Sequence, residues 1–105
     1  MAINTKNNMK EVKMKFKDTE LPKWFNGTKY TEGDLVTNPF SGEQAILTAN
    51  ELSMYDFVMG ATWTIEQKFQ QDVVDPMVEK LQKDLIKGLD WFRSANSRAY
   101  MILLD

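Results

Sequence analysis

From Lys10 to Lys17 apolar and polar positions alternate, with Val12, Met14 and Phe16 on one side and Lys13, Lys15 and Lys17 on the other. Period two predicts a half-buried strand with a lysine face, and lysines of this kind also blunt a sheet edge. Residues 1–9 before it are polar and Asn-rich and read as a loose end. Three turn signals follow: Asn26-Gly27, where both residues tolerate positive φ, then Glu32-Gly33-Asp34, then Asn38-Pro39-Phe40-Ser41-Gly42. Trp24, Phe25 and Tyr30 are read as packing across the first of them. Leu35-Val36-Thr37 and Gln44-Ala45-Ile46-Leu47 are short strand candidates on either side of the third, so that turn predicts a hairpin. Residues 10–47 thus read as a β-rich, turn-rich element.

The period changes at Thr48. Thr48-Ala-Asn-Glu51 has the form of a capping box, and Leu47 and Leu52 stand at the two positions of a hydrophobic staple. Tyr55, Val58, Thr62, Ile65 and Phe69 then recur every three or four residues, which predicts a helix over 49–74. The stripe keeps its phase through Gly60, so that glycine is read as a place of close approach by another element, with a break into two helices as the alternative. Asp75-Pro76 ends the run: proline removes a helical N–H and disfavours helix at the residue before it, while Asp suits an N-cap and Pro a first helical position. A second helix is predicted over 76–93, with Val78, Leu81, Leu85, Leu89 and Phe92 on one face and Glu79, Lys83, Lys87 and Asp90 opposite. The nine residues from Phe69 to Val78 cover about two and a half turns, so one straight helix could not bury both stripes on one core and the chain must bend or reverse near Asp75. Ser94-Ala-Asn-Ser97 closes this helix. Tyr100-Met-Ile-Leu-Leu104 reads as a buried tail, either a last strand or a final helical turn. The fold class is therefore α+β, one domain with a small turn-rich N-terminal β-element packed on two long helices, residues 48–105 being mainly helical.

The length of 105 residues suits one domain with one core. The chain has neither Cys nor His. Within it, that excludes disulfides, thiolate nucleophiles, Cys/His zinc sites, haem ligation by His and Ser-His-Asp or Cys-His triads. No apolar run reaches the ~20 residues of a membrane span, and the first residues lack the apolar stretch of a secretion signal. Charge is uneven although the net is only -2: residues 1–30 hold seven Lys against three acids, and residues 31–75 hold eight acids against Lys68 alone. Either the two segments lie together, or the lysine arm meets an anionic partner.

Gly33-Asp-Leu-Val-Thr-Asn-Pro-Phe-Ser-Gly-Glu43, Leu47-Thr48 with Glu51, Tyr55-Asp-Phe-Val-Met-Gly-Ala61, Gly88-Leu-Asp-Trp-Phe-Arg93 and Ala99-Tyr-Met-Ile-Leu-Leu-Asp105 resemble a set of small uncharacterised proteins of tailed, especially marine, bacteriophages. The likeness covers roughly residues 33–61 and 88–105. The position after Asn38 is more often basic in that set than the Pro39 found here. The resemblance implies a source, with a place in the host cytoplasm or the virion, but no mechanism and no functional residue.

Without imidazole or thiol, catalysis would fall to carboxylates, Lys, Tyr or a hard metal ion. Asp72, Asp75 and Glu79 could gather oxygen ligands for magnesium, yet acids are expected at a proline-led helix start in any case. Lys10, Lys13, Lys15 and Lys17, near Trp24, Phe25 and Tyr30, have the ingredients of a weak single-stranded nucleic-acid site, against an acidic chain with pI ≈ 5.1 and only two Arg. The first helix carries Met54, Phe57 and Met59 off its main stripe, so either it is central to the domain or part of it meets another chain. Phe40, set among turn residues with Asn38, Pro39 and Ser41, is the best candidate for an exposed contact loop; its alternative is a ring tucked over the helices. The reading is a non-enzymatic protein without cofactor or metal, acting through contacts with a host or virion protein or with its own copies, nucleic acid being the lesser alternative.

Overall fold

The computed structural model describes residues 18–71 and 75–105, in the order β1 (Asp34–Thr37), β2 (Gln44–Leu47), α1 (Ala49–Gln70), α2 (Pro76–Ala95) and α3 (Ser97–Leu103). It is a small α+β fold: a two-stranded antiparallel hairpin, then two long packed helices and a short third one. The loose end at 1–9 and the strand at 10–17 lie outside the described residues. Within 18–47 regular β-structure is confined to the hairpin, and residues 18–33 run as irregular chain.

Each helix starts where local chemistry dictates. Thr48 Oγ1 accepts from the Glu51 N–H at 3.2 Å, and Glu51 Oε1 accepts from the Thr48 N–H at 3.0 Å, closing the capping box of α1. Asp75 caps α2, its Oδ1 accepting from Met77 N–H at 2.9 Å with Pro76 in the first turn. Asn96 ends α2 and begins α3: its N–H bonds the Phe92 carbonyl at 2.8 Å, and its Oδ1 accepts from Ala99 N–H at 3.0 Å. The chain reverses at Asp75, as the two stripes demand. Near the turn Lys68 Nζ stands 3.7 Å from the Asp75 carboxylate, while far from it Gly88 packs on Met54, Phe57 and Val58, so α1 and α2 are antiparallel.

The core joins Phe25, Leu47, Met54, Val58, Phe92, Ala99 and Leu103, with Leu85 and Leu89 of α2 packed against it. The α2 stripe lies as its sequence predicts. On α1 the buried set is Glu51, Met54, Val58, Ala61 and Ile65, together with Ser53. Val58 and Ile65 were in the expected stripe; Phe69 was too, but it is exposed in the last turn of α1. α1 is unbroken at Gly60, yet among the described residues nothing stands within 4 Å of where a Cβ there would lie. The close approach belongs to Gly88, where a Cβ would stand 3.0 Å from Met54 Sδ and 3.3 Å from Val58 Cγ2. α1 is described to Gln70, with 72–74 outside the described residues; α2 runs to Ala95, two residues past its expected end; and the tail resolves as helix, with Leu103 buried.

The irregular segment covers one side of the helices. Thr48 Oγ1 donates to Asp18 Oδ1 at 2.6 Å, Asn50 Nδ2 to the Thr19 carbonyl at 3.0 Å, Trp91 Nε1 to the Glu20 carbonyl at 2.9 Å and Tyr30 N–H to Ser53 Oγ at 2.9 Å. Its turn forms at Pro22–Phe25, where Phe25 N–H bonds the Pro22 carbonyl at 3.0 Å, and not as a positive-φ pair at Asn26-Gly27. Gly27 instead leaves room for the Phe25 ring, which a Cβ would meet at 2.8 Å. Trp24 and Phe25 meet Phe57 edge-on, each with ring centroids 5.8 Å from it, while Tyr30 is exposed.

Candidate functional site

The hairpin pairs Asp34 with Leu47, Leu35 with Ile46, Val36 with Ala45 and Thr37 with Gln44. Alternation puts Val36, Ala45 and Leu47 on the inner face, where all three join the core, and Leu35 and Ile46 on the outer face. A network of hydrogen bonds holds the loop between the strands. Asn38 N–H bonds the Glu43 carbonyl at 2.8 Å and Gly42 N–H bonds the Asn38 carbonyl at 2.9 Å. Asn38 Oδ1 accepts from Phe40 N–H at 2.8 Å and Ser41 N–H at 3.3 Å, an Asx turn, and Ser41 Oγ accepts from Glu43 N–H at 3.2 Å. Gly42 has φ +78°, a conformation that glycine adopts without steric cost. The Asn38 amide also donates to the Ile102 carbonyl at 2.8 Å. That carbonyl belongs to the last turn of α3, where acceptors have no intrahelical partner. One side chain therefore shapes the loop and fastens it to the helical layer.

Held in this frame, Phe40 is 98% exposed. The alternative of a ring tucked over the helices is not what the loop does. An aromatic ring on a backbone already fixed loses little further freedom on binding, which favours tight contact per unit area. Pro39 and Ser41 flank it, both exposed.

The helical candidates separate. Met54 is 0% exposed, so it is a core residue and not a contact residue. Phe57 is half-buried and engaged by Trp24 and Phe25, so it too serves the interior. Both were displaced from the surface by the segment 18–33 and by α2. Met59 remains exposed. Trp63, four residues further along α1 and 64% exposed, was missed; its i,i+4 spacing from Met59 was the available signal.

Lys10, Lys13, Lys15 and Lys17 lie outside the described residues, as does Asp72. Asp75 is engaged by Met77 N–H and Lys68, and Glu79 faces Lys83 at 4.0 Å. Among the described residues no three acids gather to hold a metal ion. Every buried side-chain nitrogen or oxygen among them has a hydrogen-bond partner. No described helix is long and apolar enough to cross a membrane. No family model, curated protein or solved structure matches the chain.

Proposed function

We propose that this is a non-enzymatic contact protein that docks through the Asn38–Gly42 loop, with Phe40 as the anchor and Asn38, Pro39 and Ser41 as its frame. The observation that carries the reading is the pairing of a fully exposed ring with a hydrogen-bonded backbone. Three hydrogen bonds made by the Asn38 side chain hold the backbone that carries the exposed ring. The likeness to small proteins of tailed phages, which includes the loop itself, favours a host or virion protein as the partner and an accessory or structural role.

Photo-crosslinking tests this. Benzoyl-phenylalanine in place of Phe40 is expected to give discrete crosslinked products in a lysate of cells that make the protein, while the same probe at exposed Lys87 on α2 gives none of them. The same products from both positions, or none from position 40, would contradict the reading.

A further inference from the structure

The asparagines of the described residues sit in different surroundings. The Asn38 amide donates to the Ile102 carbonyl at 2.8 Å, and its successor Pro39 has no N–H. The Asn50 amide donates to the Thr19 carbonyl at 3.0 Å, and the N–H that follows it, of Glu51, is taken by Thr48 Oγ1 at 3.2 Å. The Asn96 amide donates to Glu51 Oε1 at 3.1 Å, while its Oδ1 accepts from Ala99 N–H at 3.0 Å. Asn26 stands apart. It is exposed and lies in irregular chain, and among the described residues neither its side chain nor the Gly27 N–H has a hydrogen-bond partner. We propose that Asn26 is a site of spontaneous covalent modification in the folded protein, converted by cyclisation onto the Gly27 nitrogen to aspartate and isoaspartate.

This chemistry needs a side-chain amide that can turn and a backbone nitrogen that can attack it. Glycine hinders the attack least, because it has no Cβ. The Gly27 nitrogen gives up its proton and bonds to Asn26 Cγ. The Cγ–Nδ2 bond breaks, and the side-chain nitrogen leaves as ammonia with that proton. Water then opens the cyclic imide. Opening at Cγ restores the ordinary chain, with aspartate at position 26. Opening at the main-chain carbonyl routes the chain through Cγ, which is isoaspartate. Either way a neutral amide becomes a carboxylate. The change falls beside the core. Phe25 belongs to it, and the Phe25 ring fills the space next to Gly27, where a Cβ would meet it at 2.8 Å. The isoaspartyl link adds one carbon to the backbone just before Gly27 and so moves Gly27 off that ring, which meets Phe57 of α1.

Full-length protein aged at mildly alkaline pH in heavy-oxygen water, then cleaved in ordinary water and mapped by mass spectrometry, tests this. Conversion during cleavage carries no heavy oxygen and is thereby set aside. Asn26 is expected to convert, with one heavy oxygen gained, at least about tenfold faster than Asn50 or Asn96, whose amides must first be released by local opening. The isoaspartyl form, separated by chromatography, is expected to melt about 4 °C or more below the parent. An Asn26→Gln protein is expected to melt with the parent and to stay unchanged at position 26 over the same period. Conversion of Asn26 no faster than that of Asn50 and Asn96 would overturn the proposal. So would conversion seen only in urea, since the site would then be closed in the folded state. An isoaspartyl form that melts with the parent would overturn the connection to the Phe25 core.

Discussion

Glu51 Oε1 accepts from Asn96 Nδ2 at 3.1 Å across 45 residues of sequence. The same oxygen closes the capping box of α1, and the same asparagine caps α3. The buried carboxylate thus couples the starts of two helices through one acceptor. Glu51→Ala leaves the Thr48 N–H and the Asn96 amide without it, and a loss of about 2 kcal/mol in urea unfolding is expected. Glu51→Gln keeps a carbonyl oxygen in place and is expected to cost less than about 1 kcal/mol. Equal losses would show that charge, and not the shared acceptor, matters there.

The two helical glycines are expected to respond oppositely. At Gly60 a Cβ meets nothing, so Gly60→Ala gains helix propensity and is expected to stabilise by about 0.5–1 kcal/mol. At Gly88 the new methyl would press on Met54 and Val58, and Gly88→Ala is expected to lose about 1 kcal/mol net, with Gly88→Val losing more than about 2. Thermal melts of the three variants decide this.

Much of this architecture is legible from neighbouring residues. Thr48 with Glu51, and Asp75 with Pro76, mark helix starts because capping needs only three or four residues of chain. The α2 stripe is legible because Val78 to Phe92 leaves one apolar face. α1 is ambiguous for the opposite reason: Met54, Phe57 and Met59 spread apolar surface around it, and the choice among faces is made by Trp24 and Phe25 arriving from about thirty residues upstream. The loop was legible as a turn, but its rigidity depends on the Asn38 bond to Ile102, 64 residues away, which no local pattern encodes.

Burial pushes the Tyr55 hydroxyl above the usual phenol range. The folded state therefore favours the neutral phenol, and the unfolded chain ionises first. That contribution is complete below about pH 10 and is lost as pH rises through the folded pKa. Tyr55→Phe is expected to melt with a shallower decline above about pH 10 than the parent protein; parallel declines would assign the alkaline loss to other groups.

Substitutions at the former helical candidates separate folding from contact. Phe57→Ala is expected to cost about 3 kcal/mol or more through the lost Trp24 and Phe25 edges, and Met54→Ala about 2–5 kcal/mol. Phe40→Ala is expected to change stability by less than about 0.5 kcal/mol, since its ring touches solvent. Chemical denaturation of each variant provides the comparison.

The account rests on Phe40 as a presented anchor, and the affinity of the partner crosslinked at position 40 for the Phe40→Ala protein measures that most directly. Binding weakened by at least about 2 kcal/mol, roughly thirtyfold in Kd, with the melting curve unchanged, is the result that agrees with it. Undiminished affinity in the Phe40→Ala protein would contradict it.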